Sequence, residues 1–93
     1  MDPEALSIAG EIFSPAAMSR ADRLLIYGSV EVGDVKAFDG VLVVSAQSFG
    51  AAGYEHLELR VPTDFTRVSG WCSCGRGPEC EHSCAAAVVL FDR

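Results

Sequence analysis

One stretch near the end of the chain decides its reading: Trp71-Cys72-Ser73-Cys74-Gly75-Arg76-Gly77-Pro78-Glu79-Cys80-Glu81-His82-Ser83-Cys84. It contains all four cysteines and one of the two histidines. As a pattern it is C-x-C, five residues, then C-x-H. Structural zinc is held by four Cys or His side chains in a tetrahedron, with two ligands from a turn and two from a second element. The first pair is expected on a tight turn leaving a strand, where Ser73 is small and Gly75 and Gly77 let the chain fold back. The second pair is expected at the start of a helix. Cys72, Cys74, Cys80 and His82 are thus the expected ligands of one zinc ion. The single-residue gaps are tighter than the roughly two to four residues that separate ligand pairs in most fingers.

Cys84 stands four residues after Cys80 and has two readings. It packs into the helix face with Ala85 and Val88, as a small apolar residue does. Alternatively it is a substitute fourth ligand, because residues four apart share a helix face. A disulfide framework is disfavoured. The four cysteines fall between positions 72 and 84, where bridges close only very short loops, and nothing directs the chain to an oxidising compartment.

Outward from this stretch, Ala85 to Phe91 favours helix, and Pro78, Glu79 and Glu81 suit a first helical turn. Upstream, Ser14 and Pro15 are helix-start signals, and Phe13 and Met18 lie at staple spacing across that cap. Ala17, Met18, Ala21, Leu24 and Leu25 recur with helical period, and Gly28 marks the stop. A helix over 15–27 is predicted. Asp39-Gly40 is a two-residue hairpin signal between Val30–Val35 and Val41–Phe49. After a turn at Gly50–Gly53, Leu57, Leu59 and Val61 alternate with His56, Glu58 and Arg60, the pattern of a strand with one wet face. Pro62–Val68 reads as a loop.

The expected order is helix, three strands over about 29–61, then a metal loop and helix over 70–91. The fold class is α+β: a small, mostly antiparallel sheet with a preceding helix and a zinc-clasped C-terminal helix. Residues 1–12 have weak periodicity and read as an N-terminal arm or a short helical turn before a domain spanning 13–93.

At this point the chain resembles the SWIM-type zinc finger, whose signature is C-x-C-x(n)-C-x-H followed by a helix of small and aliphatic residues. Cys72, Cys74, Cys80 and His82 match that signature, and Ala85–Leu90 matches the helix. Phe13-Ser14-Pro15-Ala16, the helix ending at Gly28 and the hairpin before Tyr54 are similar to the N-terminal part of bacterial SWIM domains. The resemblance covers roughly residues 13–91. It implies a module found near Swi/Snf-type ATPases, in Mutator-type transposases and in some ubiquitin ligases, which binds DNA or other proteins. Two positions depart from the pattern. Cys84 stands where the family usually has a small apolar residue, and Glu81 stands where a lysine is often found.

Charge bears on the partner. The net charge is −6. Nine acids face three bases over residues 1–59, and four face four over residues 60–93. A generic nucleic-acid binder needs an excess of Lys and Arg, and this chain has none. A protein partner is therefore expected ahead of nucleic acid, with Trp71 and Arg76 as candidate partner-binding residues. A DNA-binding accessory module is the alternative. No Ser-His-Asp order, phosphate loop or paired-carboxylate motif is present, so no catalytic residue is expected. A zinc hydrolase is discounted, because four matched side chains leave no open position for water. No apolar run approaches the ~20 residues of a membrane span. The acidic start Met1-Asp2-Pro3-Glu4 is unlike a secretory signal, so a cytoplasmic location is expected.

Overall fold

The computed structural model describes residues 3–50, 53–75 and 80–92. Seven elements follow in order: α1 (Pro3–Ile12), α2 (Pro15–Ile26), β1 (Val30–Phe38), β2 (Val41–Gly50), β3 (Gly53–Pro62), β4 (Ser69–Cys72) and α3 (Glu81–Phe91). The four strands form one antiparallel sheet in the order β1-β2-β3-β4. The fold is α+β, as the sequence pattern implied.

Local chemistry explains most of these boundaries. Ser14 caps α2 in extended conformation and its Oγ accepts the Ala17 N–H at 3.2 Å, with Pro15 as first helical residue. The β1–β2 hairpin turns on Asp39 and Gly40, with φ of 51° and 75°. Two successive positive φ values match the right-handed twist of the flanking strands, and this is why the Asp-Gly pair sits there. Between Val32 and Val35 the β1 register slips, so Gly33 and Asp34 together face Ser45 in a β-bulge.

One face of the sheet carries Val32, Val44, Ala46, Leu57, Leu59, Val61 and Cys72, all buried. Helix α3 lies on it, touching all four strands and both other helices. Ser83 to Val88 is buried without interruption. A helix apolar all round belongs inside a core, and its alanines let neighbouring backbones approach closely. Ala17 and Ala21 of α2 and Ala5 and Ala9 of α1 complete that interface.

Two expectations need correction. Residues 1–12 read as an arm or a short helical turn, but Pro3–Ile12 is a ten-residue helix whose Ala5 and Ala9 are buried in the same core. Its inward face is built from alanines, which give almost no hydropathy contrast, so only packing against α3 reveals it. The sheet has four strands rather than three. Ser69–Cys72 is too short to show alternation, yet it pairs with Leu57–Arg60. Among the described residues no helix is long and apolar enough to cross a membrane.

Candidate metal centre

Strand β4 and the first turn of α3 bring four donors together. The Sγ atoms of Cys72, Cys74 and Cys80 and a ring nitrogen of His82 all lie within 4.8 Å of one another. The Cys72 Sγ stands 3.7 Å from His82 Nδ1. A tetrahedral site with ~2.3 Å metal–sulfur bonds has edges of roughly 3.5–3.8 Å. One edge already has that length, and none exceeds it by more than about an ångström. Cys72 and Cys80 are buried, whereas Cys74 and His82 are half-buried. The four side chains fit a metal ion by donor type, number and spacing.

Each candidate ligand has a local reason for its place. Cys72 ends β4 opposite Leu57, so the pleat directs it toward the core. A turn follows, closed by the Gly75 N–H donating to the Cys72 carbonyl at 3.0 Å. Ser73, between the first two ligands, is tied to β3. Its N–H donates to the His56 carbonyl at 2.8 Å, its Oγ accepts the His56 N–H at 2.9 Å, and its hydroxyl donates to Glu55 Oε2. Sequence reasoning treated Ser73 only as a small spacer. Its hydroxyl can be recognised as an anchor only once β3 is beside it.

Cys80 is the N-cap of α3, and its Sγ accepts the Ser83 N–H at 3.4 Å. A sulfur at this position gives one of the first-turn N–H groups of the helix an acceptor it would otherwise lack. The expected first turn at Pro78 and Glu79 lies outside the described residues, and the described helix begins at Glu81. Burial pushes the Cys72 thiol up to about 12, with neighbouring Cys74 and Cys80 contributing. The metal-free thiol is therefore neutral at pH 7. A metal must displace its proton, so binding weakens as pH falls.

Cys84 stands outside the group of four. It is fully buried and its Sγ faces the Met18 sulfur on α2 at 3.3 Å. Burial raises its thiol to about 12 as well, with Cys80 adding to the shift. Glu81, beside the ligands, pairs with Arg20 at 3.0 Å and joins α2 to the start of α3. Trp71 is 52% exposed and, by strand alternation, lies on the opposite face of β4 from Cys72. The other candidate for partner binding, Arg76, lies outside the described residues.

Gly70 is a supporting residue outside the expected site. Its φ is 129°, and a Cβ there would lie 2.0 Å from the Glu58 carbonyl oxygen. Only glycine lets β4 approach β3 at this point. A glycine inside a strand two residues before a ligand was the available signal.

Fold and site together define a small α+β domain with a three-cysteine, one-histidine cluster compatible with a bound metal. No family model, curated protein or solved structure matches the chain.

Proposed function

We propose that this chain is a non-catalytic, SWIM-type zinc module whose clasped scaffold presents a surface to another protein. The observation that carries the reading is the convergence of Cys72, Cys74, Cys80 and His82 from two elements onto one point. Three thiolates and an imidazole suit Zn²⁺, and four side-chain donors close the coordination shell, as in structural sites. Such a site holds elements in place and leaves no open position to activate water. The resemblance to SWIM-type fingers rests on the same four residues and the helix behind them.

Metal loading tests the site itself. Native mass spectrometry is expected to show one zinc per chain, lost on acid denaturation. In a zinc-competition titration His82→Ala should weaken binding at least ~100-fold, as loss of one donor opens the shell. Cys84→Ala should bind as the parent does, because Cys84 faces Met18. The reverse ranking would place the fourth ligand at Cys84.

Charge supports a protein partner over DNA. Each phosphate contact needs a cation, and acids outnumber bases thirteen to seven. A fluorescence-anisotropy titration of a short duplex at two salt concentrations is expected to show affinity weaker than the ~10⁻⁴–10⁻⁶ M typical of non-specific binders. Micromolar or tighter binding with a steep salt slope would instead establish the DNA-binding accessory module.

A further inference from the structure

The face of the sheet turned away from the helices is open. Ser45, Gln47, His56 and Trp71 alternate with buried neighbours along β2, β3 and β4, and all four are exposed. Pairing aligns Glu31, Gln47 and His56 in one row across β1, β2 and β3, and Ser45, Glu58 and Trp71 in the next across β2, β3 and β4. The bulge in β1 puts Gly33 and Asp34 beside Ser45. Small residues at Gly33 and Ser45 keep the floor low between higher side chains. The result is a groove of about 490 Å³ with Glu31, Asp34 and Glu58 among its lining and Trp71 on its β4 side.

This groove has a definite chemical character. It gathers three carboxylates and an exposed indole. Glu58 approaches Arg60 at 3.6 Å, an exposed pair that constrains it weakly. Neither Glu31 nor Asp34 has an ion-pair partner among the described residues. An indole face attracts a cation through its quadrupole, best when the cation is a guanidinium that stacks as well. Carboxylates around it supply the counter-charge and the acceptors a guanidinium's donors need. The aromatic surface continues along β3, where Tyr54 stacks near His56 at 6.4 Å and meets Phe49 edge-on at 4.9 Å. An extended peptide lying across these rows would meet acidic, polar and aromatic positions.

We propose that this open sheet face is a docking groove for an arginine-bearing segment of a partner protein, with the guanidinium over Trp71 and Glu31, Asp34 and Glu58 as its counter-charges. The proposal rests on the protein-partner reading and gives that partner a chemistry. It also gives the clasp a purpose at this face. Trp71 and the ligand Cys72 are adjacent on β4, so the metal that holds Cys72 holds the groove's aromatic wall.

The test is an anisotropy titration of the zinc-loaded full chain against a short labelled peptide of alternating arginine and glycine. A peptide with glutamate in place of arginine is the control. Saturable binding of the arginine peptide alone is expected. Glu31→Gln with Asp34→Asn should weaken it roughly fivefold, the scale of two exposed ion pairs. Trp71→Ala should weaken it about threefold to tenfold through loss of the cation–π contact. A second double variant, Glu11→Gln with Asp22→Asn, removes the same charge from exposed helix positions and should leave the affinity unchanged. Equal weakening in both double variants would reduce the effect to net charge and overturn the groove. Absence of arginine-peptide binding would also overturn it. Neither outcome touches the protein-partner reading, which tight, salt-dependent duplex binding would overturn.

Discussion

With zinc bound at the four-donor cluster as proposed, removing it is expected to unfold the whole domain rather than the segment around the cluster alone. Apparent zinc-binding energies in small fingers are ~10–16 kcal/mol, as large as the ~5–15 kcal/mol that holds an ordinary domain. The position of α3 turns this local loss into a global one. Cys80 caps that helix and His82 sits in its first turn, while Ser83 to Val88 behind them fills the space between the sheet and the other two helices. If the start of α3 frays, Val44, Leu59 and Val61 lose the surface they pack on. Each fully buried aliphatic side chain contributes ~1.5–3 kcal/mol, so little needs to be exposed before the remaining margin is gone.

Thermal melting by circular dichroism should show a cooperative transition with zinc and a broad or absent one after chelation. Amide exchange should quicken in β2 and β3 as well as in α3. The thiols set the direction of the pH effect. Protons compete with the metal for Cys72, whose neutral form burial favours, so the metal-dependent stability should decline as pH falls. An unchanged melting transition after complete metal removal would mean that the core, not the clasp, holds the fold.

The second large effect is expected at a residue that touches no metal. Gly70→Ala would place a Cβ 2.0 Å from a backbone oxygen of β3, in a backbone conformation that L side chains avoid. Positive-φ strain alone costs on the order of 1–3 kcal/mol, and a rigid backbone overlap takes the total past about 4 kcal/mol. For a domain of this length that corresponds to a fall in Tm of at least ~15 °C. Relief requires β4 to move away from β3, which carries Cys72 off the other donors. Zinc affinity should therefore fall together with stability. Gly10→Ala is the informative contrast. Gly10 lies inside α1 with open space where a Cβ would go, so the same substitution should stabilise by about 0.5–1 kcal/mol. Calorimetry of the two variants should shift in opposite directions. A Gly70→Ala protein that melts and binds zinc like the parent would show that β4 is not fixed to β3 in this register.

How much was legible in the sequence follows from where the signals are local. The four-donor cluster could be read because Cys72, Cys74, Cys80 and His82 are chemically distinctive and close in the chain. The α2 cap and the β1–β2 turn could be read because Ser14-Pro15 and Asp39-Gly40 act on their own backbone. The alternation of Leu57, Leu59 and Val61 with polar residues revealed both the strand and its buried face. What escaped had no local signal. Helix α1 buries alanines, whose burial is weakly favourable and weakly periodic, and it is held by α3 across the whole length of the chain. Strand β4 has four residues and exists through its pairing with β3.

The sequence by itself therefore determined the donor set, the α+β class and the acidic surface, because these depend on residue type and short-range spacing. Tertiary structure alone decided which side chain Cys84 faces, why residue 70 is glycine and what stands on the sheet face opposite the cysteine cluster. Cys84 meets Met18 across a helix pair, Gly70 meets Glu58 across a strand pair, and the Trp71 groove is assembled from all four strands. Each is a contact between distant parts of the chain, and such contacts exist only after the entropy of bringing those parts together has been offset by the core they build.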